Sequence, residues 1–87
     1  MANFVCEVVN QKGMHARAAA KIVAIVEQYD CEVLLSHQDR NAPGDSLIKL
    51  LTLNAPKGSN IAISCQGKDE IEFSRAIKSL FENGFGE

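Results

Sequence analysis

The sequence has no basic excess, no long apolar run, no cysteine framework and no metal-ligand spacing, and each absence removes a class of function. Nine basic against eleven acidic side chains give a net charge of −2. A nucleic-acid module carries the opposite balance, and a polybasic membrane anchor needs a Lys/Arg cluster that is missing here. No stretch reaches the roughly eighteen consecutive apolar residues that a membrane span requires. The opening MANFVCEVVN has neither a basic flank nor a sustained apolar core, so it does not read as a signal peptide. The three cysteines, Cys6, Cys31 and Cys65, are odd in number and lie 25 and 34 positions apart. Secreted mini-proteins use even, closely spaced sets, so free thiols in a reducing cytoplasm fit better. No Cys-x-x-Cys or His-x₃-His pair occurs, and no metal or other cofactor is expected.

What is present is ordinary globular composition, 46% hydrophobic and 23% charged, in a single domain over residues 1–87 with no repeat or linker. Phe4 to Val9 alternates, with Phe4, Cys6 and Val8 on one face, and runs into Asn10-Gln11-Lys12-Gly13: a strand and a loop. From Ala16 the period changes. Ala19, Ile22, Val23 and Val26 stand on one helical face, which predicts a helix to about Gln28. Glu32 to His37 predicts a second strand, and the turn residues from Gln38 to Asp45 leave room for a short third strand near Asn41. Ser46 suits the N-cap of a short helix from Leu47 to about Leu53. Asn60 to Gln66 alternates again, with Ile61, Ile63 and Cys65 on one face. Asp69 and Glu72 have capping-box spacing ahead of the stripe Phe73, Ala76, Ile77, Leu80 and Phe81. Gly84, with Phe85 folding back on Leu80, would close that helix in a Schellman ending. The order β-α-β-(β)-α-β-α, with three amphipathic helices and a small alternating sheet, predicts an α+β fold with its helices on one face. Cys6 and Cys65 read as core residues, Cys31 as exposed and His37 as solvated.

Chemistry concentrates in GMHARAAA, residues 13–20. A glycine turn brings His15 to the start of a helix, two residues before Arg17. The first amides of a helix lack partners and carry the positive end of its dipole, so the amides of Ala16, Arg17 and Ala18 form a ready phosphate site. The positive surroundings favour a neutral ring with one nitrogen free as a nucleophile. Arg17 can then donate charge-assisted hydrogen bonds to a phosphoryl group on that nitrogen. Spacing alone leaves two readings open: a transient phosphohistidine, or a histidine that merely caps the helix or faces solvent. The apolar crowd Leu47, Ile48, Leu50, Leu51 and Leu53 likewise marks either a buried helix or an exposed patch for partners.

GMHARAAAKIV, together with SLIKLLTLNAPKGSNIAISCQG and the closing IKSLFENGFGE, resembles the HPr family of phosphocarrier proteins in bacterial phosphotransferase systems. The likeness runs in register along essentially the whole chain. It implies an open-faced β-sandwich, a four-stranded antiparallel sheet covered on one side by three helices. His15 matches the histidine that takes a phosphoryl group, ultimately from phosphoenolpyruvate, from enzyme I on Nδ1 and passes it to an enzyme IIA-type protein. Arg17 matches the arginine that assists the phosphorylated state. Such a protein is a carrier that alternates between partners as a monomer, not an enzyme. Leu47, Ile48 and Leu51 match the partner-docking surface beside the histidine, with Leu50 and Leu53 facing the core; Ala20 is expected to join that surface, and Lys12 and Lys49 to steer acidic partners. Ser46 matches a serine that a regulatory kinase modifies in some members; its other reading is a plain N-cap. Where the family usually has proline after the arginine, this chain has Ala18, which restores an amide and implies altered transfer rates. GMHAR with methionine, YDCEVLL and LFENGFGE resemble the nitrogen-related branch more than the sugar-transport branch. The rivals are a sugar-transport carrier and a regulator that docks through the His15/Leu47 surface without transferring phosphate.

Overall fold

The computed structural model describes all 87 residues. The chain runs β1 (Ala2–Glu7), α1 (Ala16–Gln28), β2 (Glu32–His37), β3 (Arg40–Pro43), α2 (Leu47–Leu51), β4 (Asn60–Gln66), α3 (Glu70–Glu82) and a closing 3₁₀ turn at Gly84–Gly86. The strands form one antiparallel sheet in the order β1-β4-β2-β3. Alternation decides which face is covered. Cys6, Val33, Leu35, Ile61, Ile63 and Cys65 point into the core, while Val5, Leu34 and Ala62 lie on the exposed face. The helices fill the covered side: α1 contributes Ala18, Ala19, Ile22 and Val26, α2 contributes Leu50, and α3 contributes Phe73, Ile77 and Phe81. Each large apolar side chain removed from water in this way contributes about 1.5–3 kcal/mol before entropy is counted.

The helix over 16–28 and the strands over 32–37 and 60–66 lie where the periodicity puts them, and β3 forms as a hairpin arm on β2. Four details differ. First, β1 starts and ends two residues earlier than the alternation suggests, because its partner turns away beyond the Glu7–Asn60 pair. Val8 is still buried, and its backbone pairs with Gly58 and Ser59 in the turn before β4. Second, α2 stops at Leu51, and the next carbonyls are taken by side chains of the β2–β3 hairpin. His37 is therefore not a solvated residue: it is half-buried, and its Nδ1 meets the Leu53 carbonyl at 2.9 Å. Third, the capping box does not form. Asp69 is the N-cap of α3, but its carboxylate accepts from the Asp30 amide at 2.8 Å instead of from a helix amide. Fourth, Gly84 takes the left-handed conformation (φ 65°) as expected, and the Phe85 ring packs on Phe81, with ring centroids 4.9 Å apart, a contact the spacing does not indicate. Cys31 is half-buried and the other two thiols are buried.

Candidate functional site

The loop between β1 and α1 is bolted down before it reaches His15. Asn10 is buried and donates from Nδ2 to the Gly13 carbonyl at 2.9 Å. Gly13 has φ 68°, and a Cβ there would lie 2.6 Å from the Ala55 oxygen, so only glycine fits. The next amide, that of Met14, donates to the same Ala55 oxygen at 2.8 Å, and the Met14 side chain is buried. His15 follows as the N-cap of α1 in an extended conformation (φ −111°, ψ −179°). Its carbonyl accepts the first intrahelical bond, from Ala19, while its ring caps nothing. The amides of Ala16, Arg17 and Ala18 consequently have no partner in the protein. Ala18 and Ala19 are fully buried, which seats this first turn directly on the core.

The ring itself has a neighbour that local sequence does not reveal. His15 Nε2 meets Oε2 of Glu87, whose other oxygen accepts from Asn10 Nδ2 at 3.0 Å. The tail is fixed for this contact. Phe85 is fully buried, the Gly86 amide donates to Asn83 Oδ1 at 2.9 Å, and Lys21 Nζ donates to the Phe85 carbonyl. Desolvation pushes the Glu87 carboxyl up, but hydrogen bonds from Asn10 and His15 and the charges of His15 and Lys12 outweigh it, so the group lies below the ordinary carboxylate value. Nδ1 of His15 has no hydrogen-bond partner in the protein. Arg17 is exposed and its guanidinium is paired with no carboxylate.

The helix start thus brings together His15, Ala16, Arg17 and Ala18 as the sequence indicates, and adds Asn10 and Glu87, which it does not. Lys12 is exposed in the preceding loop and lines, with Asn10, Lys57, Glu82 and Glu87, an open cavity of ≈ 480 Å³. An imidazole nitrogen without a partner, three unpartnered amides and an unpaired guanidinium suit a group that is first an electrophile and then a bound dianion, such as a phosphoryl group.

Beside this site α2 lies against α1. Leu50 and Leu53 are buried, whereas Leu47, Ile48 and Leu51 are 41%, 74% and 37% exposed, three large apolar side chains open to solvent on one short helix. Lys49 and Ala20 are exposed too. Ser46 is the N-cap of α2, its Oγ accepting from the Lys49 amide at 3.3 Å.

The family described as "PTS HPr component phosphorylation site" matches residues 3–83. The chain belongs to the HPr family. HPr proteins are phosphotransfer carriers and not stand-alone catalysts: a phosphoryl group passes from enzyme I through the carrier to an acceptor protein. The phosphocarrier protein NPr of Klebsiella oxytoca is 42% identical, over 93% of this chain and 91% of its own length. The phosphocarrier protein HPr of Neisseria meningitidis is 37% identical, over 93% and 91%. The crystal structure of HPr-C-His from Thermoanaerobacter tengcongensis matches with a TM-score of 0.94 at 28% identity, covering 100% of this chain and 98% of that one. The four-stranded antiparallel sheet with three helices on one face is the HPr fold.

Proposed function

We propose that His15 is the residue that carries the phosphoryl group, on Nδ1, and that this HPr-family chain serves the nitrogen-related branch. One observation carries the site: the unengaged Nδ1 belongs to the N-cap of α1, whose first three amides are unpartnered. Phosphoryl oxygens meet the amides of Ala16, Arg17 and Ala18, and the Arg17 guanidinium closes over them. The partners dock on Leu47, Ile48 and Leu51, with Ala20 between the two helices' exposed faces and Lys12 and Lys49 steering acidic surfaces. Enzyme I and an enzyme IIA-type acceptor use the same face in turn, so the carrier is a monomer in the cytoplasm. The branch assignment is supported by 42% identity to an NPr against 37% to an HPr. Ser46 uses its Oγ as a helix cap, and a kinase acting there would add charge beside the docking face.

The test is intact-mass analysis after incubation with phosphoenolpyruvate and purified enzyme I of each type, with His15→Ala as control. One acid-labile phosphoryl group appears on the wild type alone, and transfers faster from the nitrogen-type donor. Equal or faster transfer from the sugar-type donor moves the chain to the sugar branch. No transfer from either leaves a docking-only regulator.

A further inference from the structure

We infer that Glu87 is a positioning residue for the His15 ring: its carboxylate, aligned by Asn10, keeps a proton on Nε2 and so makes Nδ1 the nitrogen that reacts. The inference rests on the reading of His15 as the phosphoryl acceptor and adds what selects between its two nitrogens.

An ionised carboxylate only accepts hydrogen bonds, so the ring nitrogen facing it must be the donor. Nε2 faces it, and in a neutral imidazole the free electron pair then sits on Nδ1. Both oxygens of Glu87 are engaged, one on His15 and one on Asn10. Asn10 is 6% exposed and is itself held by the Gly13 carbonyl, in the same loop that delivers His15. Ring and carboxylate are therefore referred to one frame, and the arrangement depends on neither flexible side chain alone. The backbone of the tail is pinned independently by buried Phe85, by Asn83 and by Lys21. Of the charged groups near the pair, Lys12 in the loop, Lys57 before β4 and Glu82 on α3 line the same cavity as Glu87, and Lys21 on α1 reaches the Phe85 carbonyl of the tail. Against desolvation, the hydrogen bonds from Asn10 and His15, with the charges of His15 and Lys12, hold the Glu87 carboxyl below its ordinary value. Its negative charge also repels a phosphoryl dianion from the Nε2 side of the ring.

The step balances without another reagent. Nδ1 gives its electron pair to phosphorus, and the bond from phosphorus to the phosphorylated donor protein breaks with its pair returning to the donor. The Nε2 proton remains on the ring, whose new positive charge lies against the Glu87 carboxylate. In the outward step the same protonated ring is the better leaving group, and the N–P bond electrons return to Nδ1.

Two readouts test this on the full chain with Glu87→Gln and Glu87→Asp. Long-range ¹⁵N–¹H spectra of His15 at neutral to mildly alkaline pH report the tautomer without any partner protein. The Nε2–H form dominates in the wild type, is mixed with Nδ1–H in Glu87→Gln, and is partly restored in Glu87→Asp. In phosphorylation by enzyme I and phosphoenolpyruvate, Glu87→Gln lowers kcat about tenfold, one charge-assisted hydrogen bond's worth. Its KM for enzyme I stays at the wild-type value, which a general loosening of the surface would not leave unchanged. A wild type that accepts phosphate, with identical tautomers and kcat in Glu87→Gln, overturns the inference alone. A wild type that accepts none overturns the reading of His15 and the inference with it.

Discussion

At position 18, where the family usually has proline, this chain has an alanine that is fully buried and whose amide hydrogen meets no acceptor in the protein. A buried donor left without a partner costs about 1–3 kcal/mol, and a phosphoryl oxygen on the neighbouring His15 removes that cost. On the proposed reading of His15, the alanine favours the phosphorylated state in a way that proline cannot. Ala18→Pro deletes the donor without breaking a backbone hydrogen bond, since that amide makes none. Denaturant unfolding should show a gain of about 1–3 kcal/mol, the cost of the deleted donor. The phosphorylated form should lose its group severalfold faster, followed by mass spectrometry against time at neutral pH. Equal lifetimes in the two proteins would remove the Ala18 amide from the phosphate site.

Among the elements, α2 has the least right to exist alone, because five residues are far below the length at which an isolated helix is stable. Its exposed leucines and isoleucine weaken it further, since only Leu50 pulls it into the core. The helix persists because both ends are held from outside: Ser46 Oγ at the start, and His37 and Arg40 on the Leu53 and Thr52 carbonyls, at 2.9 and 2.8 Å, at the finish. Those two side chains belong to the β2–β3 hairpin, so the sheet edge sets the angle at which the proposed docking face is shown. Replacing both with alanine should raise the KM for enzyme I severalfold while leaving the single-turnover rate at saturating partner close to wild type. A fall in the saturated rate with no change in KM would assign the pair to the chemistry instead. Ser46 was legible as a cap because N-caps are local. The hold by His37 was not, because it exists only once β2 and β3 have paired and α2 has packed beside them. The Asp69 capping box misled for the same reason: the spacing was right, but the Asp30 amide, far away in sequence, took the carboxylate first.

For the whole molecule, what was readable in the sequence is what depends on neighbours along the chain: the periods of α1 and α3, the branched apolar run of β2, the alternation of β4, and the glycine turn before His15. The strand order needs pairing between segments that periodicity does not connect, and β4 inserting between β1 and β2 leaves no local trace. The site divides along the same line. His15, Arg17 and the helix amides share one turn, whereas Glu87 reaches His15 from 72 residues away. What joins those halves is the core itself, through Phe85, which is buried against Phe81 and fixes the tail that carries Glu87. Two substitutions separate this coupling from stability. Phe85→Leu and Phe73→Leu each shave a fully buried ring and should cost a similar amount, about 1–2 kcal/mol. Phe73 packs edge-on to Tyr29, at the end of α1 opposite His15 and two turns of α3 before Phe81. If the core positions Glu87, Phe85→Leu mixes the His15 tautomers and slows phosphoryl uptake, while Phe73→Leu, equally destabilised in denaturant, leaves both at wild-type values. Equal losses in the two variants would mean that uptake follows global stability, and the tail would then be a passenger on the fold.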